Sequence, residues 1–97
     1  MEAVILKENE NELKLELRGE GHTICTILQK ELLKDPNIEI AGYDVPHPLL
    51  HSAILYIRTS KGKRPREALI KALDRVRERL KEFIDVFEEA WVKVGNT

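Results

Sequence analysis

The sequence has few of the residues that mark disulfide-linked, metal-binding or membrane proteins. Its 97 residues include a single cysteine, Cys25, so neither an internal disulfide nor a Cys-x-x-Cys zinc pair can form. Apolar runs such as residues 3–6 are far shorter than the roughly 20 residues of a membrane span. The N-terminus also lacks a signal-peptide pattern. We therefore expect a soluble, cytoplasmic protein.

Aromatic residues and net charge are equally scarce. Phe, Trp and Tyr make up 5% of the chain, and 16 basic against 17 acidic residues leave a formal net charge of −1. Proteins that bind nucleic-acid single strands combine aromatic stacking platforms with a basic surface, so this composition disfavours that activity. The length predicts one domain over residues 1–97 and leaves little room for an enclosed active site.

Hydropathy patterns predict six elements in the order β-β-α-β-β-α. A short apolar run predicts a strand near residues 3–6, and alternating apolar residues predict strands near residues 13–17, 38–45 and 52–59. A first helix should begin with His22 or Thr23 as its cap and stop before Asp35. A second should run from Pro65 to about Trp91. The predicted fold is a single α+β domain, in which a mainly antiparallel four-stranded sheet carries both helices on one face.

The last helix is too long for the rest of the chain. Residues 65–91 would form a rod of about 40 Å, whereas a 100-residue globule has a radius of gyration of about 13 Å. Its apolar residues recur in steps of four and three, as in a coiled-coil seam, at Leu69, Leu73, Val76, Leu80, Phe83, Phe87 and Ala90. Either a partner covers the far end, or the helix lies diagonally across the sheet and is buried on its own fold.

Charge divides along the same segment. Residues 61–81 hold nine basic against three acidic residues, and residues 82–97 hold four acidic residues against Lys93. The basic part either forms a solvated helix face or contacts nucleic-acid phosphates. The phosphate contacts would be Lys61, Lys63, Arg64, Arg66, Arg75, Arg77 and Arg79. A free-standing nucleic-acid-binding or homodimeric α+β module is therefore the alternative function.

Residues with reactive side chains are few and poorly spaced. His47 and His51 lie four residues apart, but the prolines beside His47 prevent the helix that would place both on one face. His22 and Cys25 would make a base and a nucleophile, yet no acid is spaced to orient the base. We therefore predict no catalytic residue, no cofactor site and no metal site.

Three stretches of the sequence resemble a known family. They are Glu20-Gly21-His22-Thr23, Ala41-Gly42-Tyr43-Asp44-Val45-Pro46-His47-Pro48-Leu49, and Pro65-Arg66-Glu67-Ala68-Leu69. Together they resemble the subunit L family of archaeal DNA-directed RNA polymerase, related to eukaryotic polymerase subunit eleven and to the dimerisation domain of the bacterial alpha subunit. The resemblance covers roughly residues 13–80. After His-Thr this sequence has Ile24-Cys25-Thr26, where the family usually has Leu-Gly-Asn.

The resemblance implies a non-catalytic assembly protein that functions in transcription. Its helices would pack against the equivalent helices of the D-type RNA polymerase subunit, and this heterodimer would be the platform for the large catalytic subunits. DNA would be reached only through the assembled polymerase.

Carried onto this sequence, the resemblance gives a partner surface on both helices. Its residues are His22, Thr23, Ile24, Ile27 and Leu28 on the first helix and Leu69, Leu73, Val76 and Leu80 on the last. The helix's own apolar pattern extends this surface to Phe83 and Phe87. Tyr43, His47 and Pro48 would shape the mid-chain strand and loop.

Overall fold

The predicted order of elements is confirmed in the computed structural model, which describes residues 2–19, 22–46 and 52–95. The elements are β1 (Glu2–Glu8), β2 (Glu12–Arg18), α1 (His22–Leu32), β3 (Ile38–Asp44), β4 (Ser52–Thr59) and α2 (Pro65–Gly95). The four strands form one sheet in the order β1-β2-β4-β3, and every neighbouring pair is antiparallel. None of the described helices is long and apolar enough to cross a membrane.

The sheet buries one of its faces because apolar side chains occupy alternate positions on its two central strands. In this register Leu13 lies opposite Ile57, and Leu17 lies opposite Ala53. All four of these side chains are buried. The edge strand β1 is different, since Val4 is half-buried and its other side chains are exposed.

Two turns fix how the hairpin and the last helix meet. The Oδ1 of Asn9 accepts hydrogen bonds from the backbone nitrogens of Asn11 and Glu12, which closes the β1–β2 turn. The Nδ2 of Asn11 donates to the backbone oxygen of Ser60 at 2.8 Å, just before α2. Gly62, at φ 85°, supplies the left-handed residue of that second turn. The segment between β4 and α2 is thereby tied to the turn that precedes β2.

Both helices cover the same sheet face, and the core lies between them and the central strands. From α1 the core takes Cys25, Leu28 and Leu32, and from α2 it takes Ala68 and Ala72. The small alanines let α2 approach closely. After Ala72 no described α2 residue is buried, so the hydrophobic core covers only the first turns of this helix.

The expectation that α2 overhangs its own domain is confirmed, and the alternative of complete self-burial is wrong. The helix has 31 residues, four more than expected, and a length of about 46 Å. Every side chain described from residue 77 to residue 93 is exposed. The radius of gyration is 16.4 Å, well above the value of about 13 Å for a compact chain of this size.

The beginning of α1 differs slightly from the sequence-based prediction. His22 is already helical, so His22 and Thr23 lie in the first turn and not at the cap. The cap position precedes them and lies outside the described residues. At the other end, the backbone nitrogen of Asp35 donates to the oxygen of Leu32 at 3.0 Å, and the chain then turns into β3.

Candidate partner-binding surface

The exposed part of α2 carries a row of large apolar side chains, which we call the distal stripe. It consists of Leu80, Phe83, Ile84, Phe87 and Trp91, whose exposed fractions range from 45% to 68%. The rings of Phe83 and Phe87 stack at 6.3 Å, and those of Phe87 and Trp91 at 6.5 Å. A contiguous apolar surface of this kind is typical of a protein–protein contact.

The remaining predicted residues of α2 lie where the helix leaves the domain. Leu69 is half-buried and packs against the core. One turn later Leu73 is 45% exposed, and Val76 is half-buried. Leu69 and Val76 are thus half-buried and Leu73 between them is exposed, and from Leu80 onward every described member of the row is exposed. The row continues into the distal stripe without interruption.

The five predicted residues of α1 divide between surface and core. His22, Thr23 and Ile27 are exposed, and Ile24 is half-buried and packs against the core. Leu28 is only 6% exposed and belongs to the core. The sequence-based assignment of Leu28 to the partner surface therefore needs correction, because its side chain packs against the chain's own sheet and helices.

His22 is held by a hydrogen-bonded network that links α1 to β3. The hydroxyl of Tyr43 lies 2.6 Å from Nδ1 of His22 and 2.9 Å from Oγ1 of Thr26. That Thr26 hydroxyl also lies 2.8 Å from the backbone oxygen of His22, to which it donates. Tyr43 is thus a structural residue of the described strand, whereas His47 and Pro48 lie outside the described residues.

A buried carboxylate joins the two helices, and sequence reasoning did not find it. The Glu31 side chain is 4% exposed and forms ion pairs with Lys34, Arg75 and Arg79 at 3.1, 2.8 and 3.4 Å. Hydrogen bonds from Arg75 and then Lys34 hold the pKa of Glu31 below its ordinary value. The sequence feature that could have indicated this buried carboxylate is the position of Glu31 directly before the apolar residue Leu32 of α1.

These ion pairs weaken the nucleic-acid alternative. Three of the seven proposed phosphate contacts are paired with the chain's own carboxylates, since Arg75 and Arg79 contact Glu31 and Arg66 contacts Glu8. The hydrogen bond from Arg66 holds the pKa of Glu8 below its ordinary value. Breaking such pairs to reach a phosphate would reduce the net gain in binding energy.

Within the described residues, the geometry supports contact between surfaces and not chemistry. Cys25 is 0% exposed, and burial raises the pKa of its thiol, which opposes formation of a nucleophilic thiolate. The described part of the chain holds no group of three residues able to bind a metal. His47 and His51, whose spacing was considered above for a metal site, lie outside the described residues.

The comparisons with known proteins agree on one family. Residues 12–86 match the model of the RNA polymerase Rpb3/Rpb11 dimerisation domain. A relative from Sulfurisphaera tokodaii, named DNA-directed RNA polymerase subunit Rpo11, is 44% identical over 85 residues, which cover 88% of this chain and 91% of that protein. A relative of the same name from Methanosarcina barkeri is 42% identical, covering 93% of this chain and 97% of its own length.

The fold also matches a solved structure. The crystal structure of DNA-directed RNA polymerase subunit L from Thermoplasma acidophilum superposes with a TM-score of 0.80 and covers 95% of this chain and 90% of that one. The two sequences are 22% identical, so this likeness concerns the fold. Phe87 and Trp91 lie beyond the residues that the family model matches.

Proposed function

The chain belongs to the RNA polymerase Rpb3/Rpb11 dimerisation domain family, and we propose that it is the L-type assembly subunit of an archaeal DNA-directed RNA polymerase and forms a heterodimer with the D-type subunit. It contributes no catalytic group, and nucleotide addition takes place in the large subunits that the heterodimer helps to assemble. Such an assembly works in the cytoplasm, where the polymerase transcribes DNA.

One observation carries this proposal, namely the apolar row of α2 that its own domain leaves uncovered. Four side chains along it, Leu73, Leu80, Phe83 and Phe87, are each at least 45% exposed. Covering them with a partner helix removes apolar area from water, at about 25 cal/mol per Å². The chain's own core cannot do this, because its α2 members end at Ala72.

We assign the contact to those members of the predicted surface that do not pack against the core. On α1 these are His22, Thr23 and Ile27, and on α2 they are Leu73, Val76, Leu80, Phe83 and Phe87. Ile24, Leu28 and Leu69 pack against the core beneath this surface and support its shape. The Glu31 ion pairs fix how α1 and α2 lie against each other, so both helices are presented to the partner together.

Co-expression with the D-type polymerase subunit of the same organism tests the proposal. We expect the two chains to co-purify, and mass measurement during size-exclusion chromatography should give one copy of each. Adding the large subunits should then yield a polymerase whose assembly requires this chain. The proposal would be contradicted by a chain that stays unbound at micromolar concentrations of a folded D-type partner.

A further inference from the structure

We propose that, without its polymerase partner, this chain forms an antiparallel homodimer in which the α2 helix of a second copy covers its apolar row. The inference rests on the proposed function insofar as the second copy occupies the surface assigned there to the D-type partner. The homodimer and the heterodimer are therefore mutually exclusive.

The charges of α2 favour a second copy as the occupant. Residues 66–81 contain six basic and three acidic side chains, while residues 82–93 contain four acidic side chains and Lys93. The two halves thus carry net charges of +3 and −3. Two antiparallel copies bring each basic half beside an acidic half, whereas two parallel copies would place like charges together.

The ion pairs within the chain leave this complementarity in place. Glu8 offsets the charge of Arg66, but Glu31 brings only one negative charge to Lys34, Arg75 and Arg79, so that cluster keeps a surplus of positive charge. Arg77 and Lys81, on the same half of α2, are exposed. At the other end of the helix, the acidic side chains of Glu82, Asp85, Glu88 and Glu89 are all exposed.

The apolar spacing accommodates the same arrangement, and the charge pattern distinguishes it from the other registers. If the apolar row of α2 pairs with the same row of an antiparallel copy, Leu80 lies opposite Phe83, Val76 opposite Phe87, and Leu73 opposite Ala90. The two later layers each combine a smaller with a larger side chain. The midpoint of this register falls between residues 81 and 82, where the charge of the helix changes sign. In this register, one two-fold axis between residues 81 and 82 relates both the apolar layers and the oppositely charged halves of the two helices.

This pairing also fits the extent of the free helix surface. The paired row begins at Leu73, the first member of the row that is exposed. It ends at Ala90, and both side chains of the central layer, Leu80 and Phe83, are more than half exposed. A two-fold contact of this kind uses the same surface on both copies and closes at the dimer.

Sedimentation equilibrium of the full chain without other polymerase components is the first test. We expect a reversible monomer–dimer equilibrium in the micromolar range, with a Kd that rises several-fold when the salt concentration is raised, because exposed charge pairs are screened. A strict monomer at the highest soluble concentration would overturn the proposal. Association that continues beyond the dimer would overturn it as well.

Charge reversal on the acidic half provides a matched comparison. Glu88→Lys should raise the homodimer Kd about fivefold, because two-fold symmetry places the new charge beside basic residues twice. Glu10→Lys, in the β1–β2 turn, makes the same charge change at an exposed site beside the first turn of α2 and outside the paired row, and should leave the Kd unchanged. Equal effects of the two substitutions would contradict the charge argument.

Cysteine cross-linking determines the orientation of the helices. In the antiparallel register, a mixture of the Leu73→Cys and Ala90→Cys chains should give a disulfide-linked dimer under mild oxidation. Ala90→Cys alone should not, because its two copies lie about 25 Å apart, far beyond the reach of a disulfide. Cys25 is buried and contributes no background. Efficient cross-linking of Ala90→Cys alone would indicate a parallel dimer and overturn the proposal.

Adding the D-type partner separates this inference from the proposed function. If both hold, the homodimer converts to a heterodimer as that partner is titrated. If the free chain is monomeric but binds the D-type partner, only the homodimer is refuted. If the homodimer forms and the D-type partner fails to bind, the proposed function fails and the homodimer stands.

Discussion

Arg75 on α2 and Glu31 on α1 are joined by two hydrogen bonds that connect the helices across 44 residues of sequence. The Nε of Arg75 donates to Oε1 of Glu31 at 2.8 Å, and its Nη2 donates to the Glu31 backbone oxygen at 3.0 Å. The second bond goes to a carbonyl in the last turn of α1, which also accepts a hydrogen bond from the backbone nitrogen of Lys34 at 3.3 Å. One turn further along α2, Arg79 also reaches the Glu31 carboxylate, at 3.4 Å, before the helix leaves the domain.

The first prediction concerns acid stability. Because the pKa of Glu31 is lowered in the folded chain, this group stabilises the fold at pH values above its unfolded pKa, near 4.3. That stabilisation is lost as the pH falls through the lower folded pKa. Glu31→Gln should therefore reduce the melting temperature most at neutral pH, and its difference from the wild type should narrow below about pH 4.

Melting curves measured by circular dichroism from pH 3 to pH 7 test this expectation. Glu10→Gln, at an exposed turn position, is the control and should follow the wild type throughout. A constant difference between Glu31→Gln and wild type across this range would show that ionisation of Glu31 does not contribute.

The second prediction separates partner binding from folding. At concentrations below the homodimer Kd, Leu80→Glu should change the free energy of unfolding by less than about 0.5 kcal/mol, since Leu80 is 57% exposed in the monomer. In the heterodimer the same carboxylate would be desolvated without a partner charge. We expect a loss of about 3 kcal/mol or more in binding to the D-type partner, measured by isothermal titration calorimetry.

Val92→Glu is the matched control for this substitution. Val92 is also 57% exposed, but it lies about 120° around the helix from Leu80. This variant should bind the D-type partner with nearly wild-type affinity. If both variants lose affinity equally, the effect reflects added negative charge on α2 and not the apolar row.

The third prediction concerns the network around His22. Tyr43→Phe removes the hydroxyl that contacts His22 and Thr26, and should lower the free energy of unfolding by about 1 kcal/mol. Urea denaturation measures the free energy of unfolding of Tyr43→Phe, His22→Ala and the double variant. The double variant should lose less free energy of unfolding than the sum of the two single losses. Strict additivity would mean that the two side chains do not interact in solution.

The fourth prediction distinguishes a structural from a catalytic role for His22. His22→Ala should assemble into polymerase with at most a modest loss of affinity, because it removes one polar side chain from the contact surface and leaves the apolar row of α2 intact. The rate of nucleotide addition per assembled complex should be unchanged. A decrease by orders of magnitude in that rate would contradict the non-catalytic assignment.

The fifth prediction concerns Cys25, which stands where the resembling family usually has glycine. Its side chain is fully buried beside Leu17 and Ala53. Cys25→Gly should lower the free energy of unfolding by about 2 kcal/mol, mostly through lost apolar burial, with a helix-propensity cost of about 0.3 kcal/mol added. Cys25→Ala improves the helix propensity and should lose less. Urea denaturation curves measure both, and equal losses would rule out the propensity contribution.

The sequence predicted the elements well because each depends on local periodicity. The strand Ser52–Thr59 was predicted with its observed limits, and α2 was predicted to begin at Pro65. The overhang also followed from the sequence alone, since a helix has a fixed rise per residue and strands of this length cannot cover it. The exposure of Phe83 and Phe87 therefore follows from the sequence.

Tertiary structure alone decided which side chains became internal partners. Leu28 belongs to the same apolar pattern as Ile27, yet it is buried while Ile27 is exposed, because the position of the sheet relative to α1 selects one side. Similarly, the pairing of Glu31 with Arg75 depends on where two helices cross. Periodicity shows that a helix has an apolar face, but it does not specify which distant charge that packing will bring within hydrogen-bonding distance.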